Sequence, residues 1–421
     1  MIIYKTKNLT NIRQNGGLTF FCCLMSVIIL PFHVDFLPPF MILWVVCWII
    51  ENYQRFGKVL NIKEPSVLLF AGFLLYFLWY VTGLLYTNDL NNGVLLIFRR
   101  LSFIVFPFVL IYPGDTVKKK IGLLLKIFSL STLLYILICF CIAVIRSVYF
   151  SKGTFTFNPH PPEFDYENYF FGPNFAFLQH PTYLAMYVLF SVFVSFESFF
   201  DVRLRKILKI FWLIAGIILL ISLYFLSSRA GILTALILIP LYFIIRFKDM
   251  KKMWASILII IVAIPLFIFS FLKNDRIKYF LPETSDTSFV EKFMIDNRIP
   301  IWKSAINVIK HNLVFGVGPG DASNELQKVY KNAGYTEMYY DNLNAHNQYL
   351  EVLLGTGLIG FLIYISILSF IVYRAILKKN LLFILYILIM LMFFLSESIL
   401  NRIAGVTFFS LFSFLLLYLD D

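Results

Sequence analysis

Apolar stretches of roughly 17–25 residues, the length that carries a helix across a bilayer, alternate with short polar connections along most of the chain. They lie near 17–32, 36–52, 65–85, 93–112, 120–146, 181–200, 207–227, 230–246, 253–272, 347–373, 380–396 and 403–419. This pattern predicts an all-α polytopic membrane protein with about twelve transmembrane helices, forming one integral membrane domain over residues 1–421. The first two runs are short and meet at a proline-containing turn from Pro31 to Pro39. The polar, basic start before the first run resembles a signal peptide, but no small-residue cleavage site follows, so the first run reads as an uncleaved helix.

Two polar intervals are too long to be simple turns. One spans 147–180 and carries Pro159, Pro161 and Pro162 with an acidic patch of Glu163, Asp165 and Glu167. The other spans 273–346, between the ninth and tenth runs. Within it, Ile301, Ala305, Val308 and Ile309 recur at helical spacing, as do the apolar positions from Leu326 to Tyr330. Two short helices lying on the membrane surface are expected there.

Composition supports the membrane assignment. The chain is 60% hydrophobic and 14% charged, with a mean hydropathy of +0.81, against roughly 45–50% and about 25% in a soluble domain. The net charge of +12 is not a nucleic-acid footprint, because its lysines and arginines sit in alternate short connections. These are Lys5, Lys7 and Arg13; Arg55, Lys58 and Lys63; Lys118 to Lys120; Arg203, Arg205, Lys206 and Lys209; Arg246, Lys248, Lys251 and Lys252; and Arg374, Lys378 and Lys379. The positive-inside rule makes those connections and both termini cytoplasmic and the two long intervals extracytoplasmic. All five cysteines fall inside apolar runs and read as small buried hydrophobes; neither a metal-ligand spacing nor a disulfide framework is visible. No cofactor is implied.

Irregular, glycine-punctuated sequence cannot face lipid without leaving peptide groups unpaired. The segment from Arg298 to Gly360 must therefore sit outside the hydrocarbon. It holds Arg298-Ile299-Pro300-Ile301-Trp302, then Phe315-Gly316-Val317-Gly318-Pro319-Gly320, then Asn344-Ala345-His346-Asn347-Gln348-Tyr349-Leu350-Glu351, and Gly355 to Gly360. His346 begins the tenth run and titrates near neutrality, as a general base needs; capping is its structural alternative. Arg229, in Ser227-Ser228-Arg229-Ala230-Gly231, lies in a tight outer turn, where a guanidinium forks onto phosphate oxygens or snorkels. Arg99 and Arg100 sit inside the fourth run with the same two readings. His180-Pro181-Thr182-Tyr183 opens the sixth run, as a site element or as a helix start. The glycine run at 316–320 follows no strand and lacks a phosphate-loop lysine, so it reads as a turn between surface helices.

These residues, in this order, resemble the O-antigen ligase and polymerase family of bacterial envelope glycosyltransferases. The likeness covers most of the chain and rests on Ser228-Arg229-Ala230-Gly231, Arg298-x3-Trp302, Gly316-Val317-Gly318-x-Gly320, and His346-Asn347-x2-Leu350-Glu351 with Gly357 and Gly360. The resemblance implies a GT-C-like membrane fold and an inverting, metal-independent transfer of a glycan from undecaprenyl diphosphate, at the periplasmic face of the inner membrane. It implies that His346 is the essential loop histidine and that Arg229 and Arg298 hold the donor diphosphate. Arg99 and Arg100 are further diphosphate candidates, and His180, Tyr183, Trp302 and Asn347 line the site. The first expectation is a ligase with a lipid A–core acceptor. A polymerase of O-antigen, capsule or exopolysaccharide repeat units, or a transferase to protein hydroxyls, shares the chemistry. A lipid-linked oligosaccharide flippase is the alternative of another class; its charges would gather near the bilayer midplane, whereas here they gather at the outer boundary.

Overall fold

The computed structural model describes residues 16–52, 63–151, 153–160, 167–247 and 298–419. Among them, eight helices are long and apolar enough to cross a membrane: Val34–Asn52, Pro65–Gly83, Leu90–Leu110, Ile121–Ser147, Pro181–Phe200, Lys206–Leu226, Arg229–Arg246 and Gln348–Lys378. Three shorter apolar helices, Gly17–Ile29, Leu381–Ser396 and Ile403–Leu417, accompany them. The expected run at 253–272 and the first part of the long interval, to residue 297, lie outside the described residues.

Helix starts follow local chemistry. Asp89, Ser228, Asn347 and Asn380 each accept a hydrogen bond from a backbone N–H of the turn they cap, and Pro65 and Pro181 open their helices where no N–H is needed. The apolar faces of these helices remain on the outside: Ile42, Leu75, Ile145, Ile207, Ile214, Leu362 and Ile376 are exposed, as a lipid-facing surface requires.

The chain divides into two compact units, residues 1–127 with 297–421, and residues 128–296. In the first, Gln348–Lys378 packs on Pro65–Gly83, where Gly72 admits Ile367 and Trp79 Nε1 donates to the Thr356 carbonyl at 3.0 Å. Ile403–Leu417 packs on the Ser102–Leu110 helix through Phe103 and Phe409, and the Ser102 and Thr407 hydroxyls meet at 2.9 Å. The expected 93–112 span is divided at Arg100 into Leu90–Arg99 and Ser102–Leu110.

The polar segment before the tenth run folds into three helices, Arg298–His311, Ala322–Ala333 and Thr336–Tyr340. They close over a small core of Ile301, Ala305, Val308, Ile309, Leu326, Tyr330, Ala345 and Leu354. The glycine turn docks on a break in the long helix at Gly357, which has φ +65° and ψ −167°. Val317 N–H donates to the Leu354 carbonyl at 2.9 Å and Leu358 N–H to the Leu313 carbonyl at 2.8 Å. Gly316, at φ +74°, lies so close that an added Cβ would sit 2.6 Å from the Gly357 nitrogen. Both glycines are required by that approach. A span needs about 20 residues, which 358–378 supply, so the polar first turns at 348–356 belong with the site.

In the second unit, Pro181–Phe200 is buried along nearly its whole length, and Gly216 lets Lys206–Leu226 approach Phe196. One antiparallel hairpin, Val148–Ser151 with Thr154–Phe157, interrupts the helical chain and turns through Gly153 at φ +80°. Its aromatic and β-branched residues favour a strand, but four-residue strands are too short to register as a sequence period. Glu167 accepts from Asn174 Nδ2 at 2.7 Å and is no freely solvated carboxylate; Glu163 and Asp165 lie outside the described residues. Cys22, Cys23 and Cys139 are buried as expected and Cys47 is half-buried, whereas Cys141 is exposed on the Ile121–Ser147 helix, corresponding to a lipid-facing position.

Candidate active site

His346 sits just before the Gln348–Lys378 helix in the left-handed region, at φ +41°. A non-glycine residue there is strained, and the surrounding bonds hold it. Its N–H donates to Asn344 Oδ1 at 2.9 Å. Asn347 caps the helix by accepting from Tyr349 and Leu350 N–H, and its Nδ2 donates to the Leu395 carbonyl at 3.2 Å. Asn347 thus holds the turn through both ends of its amide.

The imidazole Nδ1 lies 3.1 Å from both carboxylate oxygens of Glu397. An ionised carboxylate only accepts, so Nδ1 carries the proton and Nε2 keeps its lone pair. Glu397 caps the Leu381–Ser396 helix and accepts from Ser398 N–H at 3.2 Å. Burial pushes the His346 pKa down, but the Glu397 hydrogen bond and charge outweigh it, Arg298 opposes them and Glu351 adds to them; the net direction is upward. Arg298 therefore belongs to the same electrostatic neighbourhood, half-buried at the start of the Arg298–His311 helix.

Behind the histidine runs a second set of bonds. Glu351 accepts from Ala345 N–H at 3.1 Å, from Ser398 Oγ at 3.2 Å and from Asn401 Nδ2 at 2.6 Å. Asn401 Oδ1 in turn accepts from Arg100 at 3.0 Å. Arg100 is 1% exposed, its guanidinium 4.1 Å above the Tyr80 ring. Its neighbour Arg99 is half-buried. Trp302 packs its ring against the Ile301 core, with Nε1 buried and without a partner among the described residues.

Arg229, His180 and Tyr183 belong to the second unit. Arg229 begins its helix after Ser227, itself left-handed at φ +51°, and Ser228, whose Oγ accepts from Gly231 N–H at 3.2 Å. An added Cβ on Gly231 would lie 2.8 Å from the Ala185 Cβ, so the first turns of the Arg229 and Pro181 helices are packed together. His180 caps the latter, its ring edge-on to the buried Tyr183 at 5.8 Å.

The sequence placed Asn344 and Glu351 within the histidine motif without a role, and Glu397, Ser398 and Asn401 were passed over. One signal was available: Glu397 is the sole carboxylate in the polar break between the last two apolar runs.

The arrangement is that of an imidazole oriented by a carboxylate, with its other nitrogen available to take a proton. Residues 214–365, which include Arg229, Arg298 and His346, match the family model described as O-antigen ligase. No curated protein matches the chain.

Proposed function

We propose that the chain, whose residues 214–365 match the O-antigen ligase family model, is a membrane glycosyltransferase that transfers a glycan from undecaprenyl diphosphate to an acceptor hydroxyl, the acceptor being lipid A–core. The single observation that carries the chemistry is the His346–Glu397 pair, which keeps Nδ1 protonated and presents Nε2 as the base. As the acceptor oxygen attacks the anomeric carbon, its proton passes to Nε2 and the bond from that carbon to the diphosphate oxygen breaks. Attack from the face opposite the diphosphate inverts the anomeric centre. The imidazolium that forms is stabilised by Glu397, as in other carboxylate-oriented bases.

The departing lipid diphosphate accumulates negative charge, which fixed cations stabilise. Arg298 is the candidate beside His346, and Arg99 a further one; the family resemblance gives Arg229 the same role. In this reading the basic connections are cytoplasmic, both termini are inside and the helices from Arg298 to Tyr340 lie at the periplasmic face of the inner membrane. The fold is GT-C-like. The reaction needs no metal, since arginines supply the positive charge.

The test pairs a deletion strain with purified protein. Loss of polymer-bearing lipopolysaccharide on a gel, with long polymer retained on the lipid carrier, is expected of a ligase; arrest at one repeat unit identifies a polymerase and overturns the acceptor assignment. In vitro, His346→Ala lowers transfer about 10²–10⁴-fold, the contribution of a general base. Transfer that survives His346→Ala unchanged refutes the catalytic assignment.

A further inference from the structure

Arg100 is a buried cation at the break of the Leu90–Leu110 span, and every contact of its guanidinium is inside the protein. Nη1 donates to the Leu96 carbonyl at 3.3 Å; Nη2 donates to Tyr80 OH at 3.3 Å and to Asn401 Oδ1 at 3.0 Å. None of these three contacts is to a carboxylate. The counter-charge is one residue further: the other end of the Asn401 amide donates to Glu351 Oε1 at 2.6 Å. The amide dipole is aligned between cation and anion, each polarising it in the same sense. Glu351 Oε2 then accepts from Ala345 N–H, the peptide immediately before the left-handed His346.

We propose that Arg100, Asn401 and Glu351 form a charge relay, running from the buried Arg100 to the half-buried Glu351, that fixes the strained backbone of His346, so that Arg100 is a positioning residue for transfer and not a ligand of the donor diphosphate. The inference rests on His346 being the base. Four facts support it. A buried charge requires a compensating partner, and the relay supplies one for Arg100 in the half-buried Glu351. The left-handed His346 needs bonds on each side to persist, and the Ala345 N–H bond to Glu351 anchors the preceding side, as the Asn347 bond to the Leu395 carbonyl anchors the following one. Asn401 presents its two ends to opposite charges, which no apolar residue of that size could do. A diphosphate, finally, would have to displace Tyr80 and Asn401 to reach Nη2.

The experiment measures transfer by purified protein in nanodiscs, with a polyprenyl-diphosphate glycan as donor, inorganic pyrophosphate as competing inhibitor, and the variants Arg100→Gln, Asn401→Ala and Glu351→Gln. Misplacing a reacting group by about 1 Å costs on the order of 10²-fold, so kcat is expected to fall about 10–100-fold in each variant. Donor KM and pyrophosphate inhibition stay within about two-fold of wild type, because no diphosphate contact is lost. The Arg100→Gln/Asn401→Ala double variant is no slower than the slower single one, since both cut one chain. A rise of tenfold or more in donor KM and in the pyrophosphate inhibition constant for Arg100→Gln, with Asn401→Ala neutral, makes Arg100 a diphosphate ligand and overturns the relay. Unchanged kcat in Asn401→Ala and Glu351→Gln overturns it too, and those two variants carry the test if Arg100→Gln fails to fold. His346→Ala in the same assay separates the readings: if it is inactive while the relay variants are normal, only this inference fails; if it is fully active, the assigned base fails.

Discussion

Glu397→Gln isolates the charge behind His346. The glutamine carbonyl can still accept from Nδ1 and from Ser398 N–H, so the tautomer and ring orientation survive while the negative charge disappears. The pair is 3.1 Å apart, with the histidine side chain 28% and the glutamate side chain 14% exposed. At such a separation an imidazolium and a carboxylate attract by about 5 kcal/mol in an effective dielectric near 20. Partial exposure reduces this, and a hydrogen bond to a charged group typically contributes about 1.5–3 kcal/mol. A loss near 2 kcal/mol in the transition state, where the imidazolium forms, corresponds to a fall of about 30-fold in kcat/KM. The pH profile moves as well. Glu397 raises the His346 pKa against the downward pull of burial, so the neutral base appears at higher pH than for an unshifted histidine. Removing the charge shifts the acid limb of kcat/KM to lower pH. A radiolabelled or gel-resolved transfer assay across pH 5–9 reads both effects. If Glu397→Gln keeps kcat/KM within about two-fold and leaves the acid limb in place, Glu397 does not act on the base.

Four further outcomes follow from the proposed function and from this geometry. Arg298→Ala and Arg229→Ala each lower transfer about 10²–10³-fold with reduced donor affinity, as loss of a fixed contact to developing charge does; titration with a non-transferable polyprenyl diphosphate checks the affinity. Gly316→Ala forces a Cβ against the Gly357 nitrogen in a left-handed backbone, at a cost of about 1–3 kcal/mol seen as a lower thermal midpoint in detergent. His346→Gly and His346→Ala both lower transfer about 10²–10⁴-fold, but glycine, free of the left-handed penalty, is the more thermally stable by about 1 kcal/mol. Because the folded His346 pKa is raised, the His346–Glu397 attraction is fully present below the unfolded histidine value of about 6.5 and lost as pH rises through the folded value. The thermal advantage of wild type over Glu397→Gln is therefore largest on the acidic side and fades as pH rises.

Much of the helical frame was legible in the hydropathy pattern, because a membrane span is defined by one chain property, twenty-odd apolar residues in a row. The 181–200 run is the Pro181–Phe200 helix, and the 207–227 and 230–246 runs meet at the turn expected around Ser228. The fourth run concealed its break, since hydropathy counts Leu101 and Ser102 as continuation, whereas the backbone there adapts to a guanidinium drawn inward to Tyr80 and Asn401. His346 was visible from its motif. Its partner was not: Glu397 lies 51 residues downstream, and that pairing is a tertiary fact with no local period to announce it.

The same pairing explains why the histidine motif carries Glu351 and glycines in the next turns. Glu351 lies in the first turn after His346, where one carboxylate oxygen can reach back to the Ala345 N–H and the other forward to Asn401. That geometry requires the helix start to be fixed, yet a helix continuing straight into a span would present no seat for the Arg298–His311 helix and its glycine turn. The break at Gly357 resolves the conflict: Leu354 and Leu358, on either side of it, trade backbone hydrogen bonds with Val317 and Leu313. The packed helices thereby bear on the segment that holds the base. Spacing within the motif is thus set by two constraints acting together, the reach of a carboxylate to the preceding peptide and the docking of an extended loop into a helix break. A change that lengthens 351–357 by one residue would rotate Glu351 by about 100° relative to the break and sever one of the two.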